Sequence, residues 1–297
     1  MKPMLDRVWA WQNRNAPYFF LLPFVLLFCG FMVYPLARSA ILSFYKSGGP
    51  GHQVFIGLGN YTFLFQDDLF WKAVANTVTF TVCFIGLQIP LALGLALLLN
   101  SKLVRCRNFL RYAFFSTNLV GNVFASVVFF LLLAPRSGLV NRFIGAVTPF
   151  GVETHWLGSP ALAMPALILA SLWLSVGYAM IYFLAALQSV DTELYEAAQM
   201  DGAGKVAQFW HVTLPGIRPV LTFIALFGAI GAFQLFELPY VLFQGPGPNN
   251  SALTIVMYLF NQGFEVGDIG YGAAIGWALV AMILVISIAQ MRLSRPR

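Results

Sequence analysis

Apolar runs of about 20 residues recur along this chain, each long enough to cross roughly 30 Å of hydrocarbon, and they constrain its fold more than anything else. A length of 297 residues would otherwise suggest one or two soluble domains, but 59% hydrophobic and 9% charged residues overrule that. In lipid every backbone N–H and C=O must be satisfied within the protein, and an α-helix does this segment by segment. The expected fold is therefore all-α: a polytopic membrane bundle of six transmembrane helices near residues 17–42, 74–99, 112–133, 161–187, 220–242 and 269–291. The first run has no small-residue cleavage site and is too long for a signal core, so it reads as a retained span. Trp9 and Trp11 before it suit an amphipathic stretch at the interface.

The cations orient the bundle. With the N-terminus inside, the inner side holds Lys2, Arg7, Arg14, Lys102, Arg105, Arg107, Arg111, Lys205, Arg218, Arg292, Arg295 and Arg297. The outer side holds Arg38, Lys46, Lys72, Arg136 and Arg142, a bias of twelve to five that places both termini in the cytoplasm. The net charge of +6 thus reports topology and an anionic inner leaflet rather than nucleic acid. Cys29, Cys83 and Cys106 have neither disulfide nor metal spacing and read as small buried or reduced residues. His52, His155 and His211 are isolated, so no metal site is expected.

The loop at 188–218, cytoplasmic in this orientation, is not a passive connector. Leu194, Ala197 and Ala198 fall at i, i+3, i+4, and Val206, Phe209 and Trp210 repeat that spacing, giving one apolar stripe on each of two short helices. Asp201-Gly202 is a turn dipeptide between them, and Pro215 and Pro219 are expected to break the chain and restart it as the fifth span. Asp191, Glu193, Glu196 and Asp201 fit poorly against an anionic leaflet, so the hairpin reads as a plug for a protein cleft; Asp191 or Glu193 also suits a helix start.

Within the spans polar residues are few. Asn118 and Asn122 lie at i, i+4 in the third span, Gln234 and Glu237 at i, i+3 in the fifth, and Trp173, Tyr178 and Tyr182 in the fourth. Asn118, Asn122, Gln234, Glu237 and Tyr178 are candidates to line a hydrophilic pathway, where amides and a carboxylate would bind hydroxyls and aromatics would stack; otherwise the amides join helices and Glu237 sits in water near an outer interface. Gly272 and Gly276, four apart, suit close helix packing. No phosphate-binding GxxxxGK[ST] loop and no catalytic set occurs, so the chain itself is not expected to be an enzyme or to bind ATP. A six-helix ion-coupled secondary transporter is the competing class; it needs an intramembrane coupling carboxylate, and only Glu237 qualifies.

Glu196-Ala197-Ala198, Asp201-Gly202-Ala203 and Thr213-Leu214-Pro215 with Pro219 resemble the EAA loop of permease subunits of type I binding-protein-dependent ABC importers. Gly57-Leu58-Gly59-Asn60-Tyr61, Phe70-Trp71 with Asn76-Thr77, Gly138-Leu139-Val140-Asn141, Ala185-Ala186-Leu187-Gln188 and Gly270-Tyr271-Gly272-Ala273-Ala274 resemble its carbohydrate-uptake branch, the maltose and glycerol-phosphate permease type. The chain departs from the pattern in the third span, where a proline is expected near Phe115-Ser116 and a tryptophan where Phe129 or Phe130 stands. The resemblance implies a bacterial or archaeal inner-membrane subunit pairing with a second homologous permease, two ABC ATPase subunits and an extracytoplasmic solute-binding protein. It implies that Glu196, Ala197, Ala198, Asp201, Gly202, Ala203, Leu214 and Pro215 couple to the ATPase, which alone binds ATP, and that the solute is carbohydrate-type. The expected division is a cytoplasmic segment 1–16, a permease domain 17–291 containing the coupling loop 188–218, and a cytoplasmic tail 292–297.

Overall fold

A computed structural model describes residues 2–47, 53–101, 104–147 and 154–293, with residues 2–14, 147 and 293 described by backbone alone. The glycine-proline turn at 48–51, His52, Lys102, Arg295 and Arg297 lie outside the described residues, as do the side chains of Lys2, Arg7, Trp9, Trp11 and Arg14. The helices are α1 (Lys2–Phe28), α2 (Tyr34–Leu42), α3 (Gly59–Gln66), α4 (Asp68–Asn100), α5 (Arg107–Ser116), α6 (Asn122–Leu132), α7 (Leu139–Val147), α8 (Pro160–Ser189), α9 (Thr192–Met200), α10 (Lys205–Gln208), α11 (Leu214–Phe233), α12 (Glu237–Phe243), α13 (Ile255–Phe260) and α14 (Ile269–Leu293). Strands β1 (Tyr45–Ser47) and β2 (Gln53–Phe55) form one antiparallel pair with Lys46 opposite Val54.

Five helices among the described residues are long and apolar enough to cross a membrane: Asn15–Leu42, Asp68–Asn100, Pro160–Ser189, Lys205–Phe233 and Ile269–Arg292. The expected uninterrupted third span is instead a broken pair, Arg107–Leu119 and Asn122–Leu132, bent by 101°. Val120 and Gly121 are extended at the break. Ser116 Oγ and Thr117 Oγ1 donate back to the carbonyls of Ala113 and Phe114, the local bonding by which such residues compete with a helix ladder. Irregular backbone at this depth is tolerated where it lines a cavity, and Asn118 and Asn122 flank one.

Three further expectations need correcting. Pro215 and Pro219 do not interrupt the fifth span, since one helix runs from Lys205 to Phe233. A π-turn, Phe209–Thr213, precedes Pro215, and Leu214 N–H reaches back to Phe209. The ladder has already shifted register where proline lacks its donor, so little is lost. The first span uses the same arrangement, with π-turn Cys29–Val33, a Tyr34 N–H bond to Cys29 and then Pro35. Gln234 and Glu237 do not share a helix: Gln234 ends α11 and Glu237 begins α12. The three cysteines are free and exposed rather than buried.

The chain divides into two compact units, Met1–Leu64 with Asn261–Trp277 and Phe65–Phe260 with Ala278–Arg297. In the first, Asn60 Nδ2 donates to the carbonyls of Ser43 and Tyr45 at 2.8 and 2.9 Å, tying α3 to the end of α2 and to β1. Gly270 lies against the Tyr45 carbonyl, and Tyr271 packs edge-on to Phe63. Helix Asn15–Leu42 buries none of its most apolar window, leaving an all-round apolar surface suited to lipid.

In the second unit α4 runs along α8. Ala92, Ala96, Ala179, Met180 and Phe183 are fully buried between these helices and α11. Lipid removes the hydrophobic drive between helices, so close packing of small residues does the holding. Gly177 of α8 is the closest approach, where an added Cβ would overlap the Phe114 carbonyl of α5. Asn76 of α4 donates to the carbonyls of Asn250 and Leu253, and Thr77 Oγ1 accepts the Ile255 N–H, anchoring the segment 251–260. Tyr258 donates to the Asp67 carboxylate, which also caps α4. Asn141, 1% exposed, donates to the carbonyls of Pro135 and Thr154 and accepts from Trp156 Nε1 at 2.8 Å. The sequence motifs outside the 188–218 loop thus mostly anchor loop backbone.

Candidate functional sites: an exposed hairpin and a polar cavity

The 188–218 segment folds as two helices around a glycine. Asp191 is the N-cap of α9, its Oδ1 accepting the Glu193 N–H at 3.0 Å, with Glu193 in the first turn where a carboxylate is favourable. At the other end Gly202 has φ +78°. Its N–H bonds to Gln199 O at 3.0 Å and the Ala203 N–H bonds to Ala198 O at 2.9 Å. These are the two hydrogen bonds of a Schellman ending, with glycine in the left-handed position. Ala198 and Ala203 then occupy the two positions whose side chains commonly meet in that motif.

The arms are held by polar side chains. Tyr195 Oη and Thr213 Oγ1 share a hydrogen bond of 2.9 Å, and Gln208 Nε2 donates to Ala203 O at 2.9 Å. Gly216 sits against Val190, where the hairpin meets the end of α8. Most of each apolar stripe faces outward, although Ala198 is half-buried and Phe209 packs against the core of α4, α8 and α11. Leu194, Met200, Val206 and Trp210 are exposed, with Met200 at 88%, and Glu196 and Ala197 are exposed beside them. Leu214 and Pro215 begin α11 after the π-turn.

The second site is a cavity of about 400 Å³ among α4, the broken α5–α6 pair, α8, α11 and α12. Gln88, Asn118, Asn122, Ser171, Ser175 and Tyr178 are its polar lining, and the larger, apolar share includes Phe80, Phe84, Phe227, Leu174, Ile224 and Leu238. Asn118 Nδ2 donates to Leu174 O at 3.4 Å and Asn122 Nδ2 to Glu237 Oε2 at 3.2 Å. Tyr178 packs on Tyr182 with ring centroids 4.7 Å apart.

Of the five pathway candidates, three lie in this wall. Gln234 and Glu237 do not; both are exposed, and Glu237 reaches the wall only through Asn122. Sequence reading missed Gln88, Ser171 and Ser175. Their signal was polarity at the helical spacings of two otherwise apolar spans, too common a pattern to single them out.

An all-α membrane bundle with an exposed hairpin and a cavity partly lined by polar side chains is the architecture expected of a transporter's membrane subunit. The family of binding-protein-dependent transport system inner membrane components matches residues 88–295, and the chain belongs to it. It is 39% identical over 284 residues to the arabinooligosaccharides transport system permease protein AraP of Bacillus subtilis (strain 168), covering 96% of this chain and 90% of the relative. It is 35% identical over 280 residues to the lactose transport system permease protein LacF of Rhizobium radiobacter, covering 94% and 93%. Its fold matches a chain from the crystal structure of a bacterial ABC transporter involved in import of the acidic polysaccharide alginate, with TM-score 0.85, 25% identity and 97% and 98% coverage. The chain is thus an inner-membrane permease subunit of the type I ABC importer fold, not an enzyme, which removes the ion-coupled alternative.

Proposed function

We propose that this permease forms half of a translocation pathway for a carbohydrate-type solute delivered by an extracytoplasmic solute-binding protein, and that its 188–218 hairpin couples the pathway to an ATPase. The relatives' names support the solute class. A second, homologous permease completes the pathway across the open side of the cavity, and two ATPase subunits bind the ATP. Residues 1–16 and 292–297 are the cytoplasmic ends, and 17–291 form the permease domain. Asn118, Asn122 and Tyr178 lie on the solute path, and Glu237 adjoins it through Asn122.

The observation that carries the coupling role is the exposure of most of the hairpin's large apolar side chains, Phe209 being turned to the core. Leu194, Met200, Val206 and Trp210 face outward while hydrogen bonds hold the hairpin rigid from within. Rigid outward apolar residues ringed by Glu196 and Asp201 are what a protein cleft requires, and an anionic membrane surface would repel those carboxylates. Glu196 makes the polar contact, Ala197 allows close approach, Gly202 with Ala198 and Ala203 closes the turn, and Leu214-Pro215 passes motion into α11. ATP-driven closure of the ATPases would then bring two such hairpins together and rock the bundle around its cavity, as in alternating access.

The test is Met200→Cys in a chain whose own exposed cysteines are replaced by serine. An impermeant maleimide should label it in inside-out vesicles only, and co-assembly with the ATPase should protect it. Labelling in intact cells would reverse the topology and end the coupling assignment.

A further inference from the structure

We infer that Tyr182, Phe223 and Phe227 form an aromatic ledge on which a sugar ring stacks as it passes from the cavity toward the 188–218 hairpin. The inference rests on the carbohydrate-pathway reading above and deepens it by adding the exit side of that path. Four rings follow one another across α8 and α11. Tyr178 meets Tyr182 with centroids 4.7 Å apart, Tyr182 meets Phe223 at 5.5 Å with 28° between planes, and Phe223 meets Phe227 at 4.4 Å. Both ends of this run, Tyr178 and Phe227, line the cavity. Its middle, Tyr182 and Phe223, lies about one helical turn nearer the hairpin, since α8 ends and α11 begins there. The ledge is therefore continuous with the cavity, on the side by which a solute bound for the cytoplasm leaves.

The run is not core. Ala179, Met180, Phe183 and Ile224 fill the space between the helices, whereas Tyr182 is 38% exposed and Phe227 56%. Nor is the face bearing Tyr182 of the kind that meets lipid. Ser171, Ser175, Tyr178, Tyr182, Ala185 and Ser189 follow at spacings of four and three along one face of α8, and five of the six carry a hydroxyl. The other large apolar side chains that α8 exposes, Leu169 and Trp173, fall on its opposite side. Hydroxyls that begin in a cavity and continue beyond it suit water or a hydroxylated solute better than hydrocarbon. Ser175 and Ser189 donate to the carbonyls of Ser171 and Ala186, which leaves their oxygens to accept. A sugar ring matches both surfaces. Its rim carries hydroxyls for the stripe, and its C–H faces, slightly positive, fit the negative face of an aromatic ring.

The experiment measures uptake in cells carrying the complete transport system, with arabinotriose and lactose as ring-bearing probes. Tyr182→Leu and Phe223→Leu keep an apolar side chain but remove the ring. Each should lower the maximal uptake rate of a probe that the wild type takes up by about fivefold at equal membrane abundance, the size of one lost ring contact. Tyr182→Phe and Phe223→Tyr keep the ring and should retain most of the rate. Unchanged rates in both leucine variants, or equal losses in the ring-keeping pair, would overturn the ledge and leave the carbohydrate pathway standing. A second measurement separates the ledge from packing. Tyr182→Cys, in a chain whose own cysteines are replaced by serine, should react with an impermeant maleimide in inside-out vesicles of the assembled complex. No reaction with or without ATP would set Tyr182 against lipid or the second permease and overturn the ledge as well. Uptake of neither probe would remove the carbohydrate reading together with this inference.

Discussion

Replacing Gly202 tests the proposed coupling role by isolating the backbone geometry of the 188–218 hairpin from its packing. Gly202 has φ +78°, and a Cβ built there meets no heavy atom within 4 Å, so steric clash is excluded and conformational strain alone remains. For an L-residue the left-handed region costs roughly 1–2 kcal/mol, less for asparagine and more for a β-branched side chain. The ending is held by the Gly202-to-Gln199 and Ala203-to-Ala198 hydrogen bonds, worth about 1 kcal/mol each net. Alanine strain therefore nearly matches what the turn gains, and valine strain exceeds it. The expected order of solute uptake per ATP hydrolysed is glycine, asparagine, alanine, valine, with asparagine near wild type, alanine several-fold lower and valine nearly uncoupled. The assay is uptake and ATPase activity in proteoliposomes of the assembled complex, at equal permease content. Gly204 provides the control: it also has no heavy atom near a built Cβ but has an ordinary φ of −70°, so Gly204→Ala adds bulk without strain. Wild-type coupling in Gly202→Val, or equal losses in Gly204→Ala and Gly202→Ala, would refute the argument.

Other predictions concern the bundle. Asn141→Ala removes a buried amide that holds two loop carbonyls and Trp156, and should destabilise by about 3 kcal/mol, lowering the thermal midpoint in detergent by roughly 6–12 °C; an unchanged midpoint would show that the loop holds itself. Gly177→Ala forces a Cβ into the Phe114 carbonyl and should cost about 1–3 kcal/mol by overpacking, read as reduced accumulation or melting temperature. Gly86→Ala, in open space on the neighbouring helix, should do neither.

Much of the hairpin was legible in the sequence because its determinants are local. Asp191 caps a helix two residues away, Gly202 bends its own backbone, and the 3.6-residue period sets the stripe. The prolines misled because a π-turn just upstream absorbs the missing donor, and nothing in the residue order marks that turn. The broken third span had a local trace, the cluster Ser116-Thr117-Asn118 before Gly121-Asn122, outweighed by the apolar run around it.

The cavity belongs to the other category. Helical periodicity states which side chains share a face but not which helix that face meets. Asn122 meets Glu237 and Asn76 meets Asn250, pairings more than a hundred residues apart in the chain. By itself the sequence determined a membrane bundle, its charge bias and a glycine-hinged hairpin, because crossing lipid, following the positive-inside rule and turning a chain are local demands on residue type. Only the tertiary structure decided which polar side chains converge on one hollow and which of their protons are already committed, because hydrogen-bond satisfaction is a property of three-dimensional neighbours.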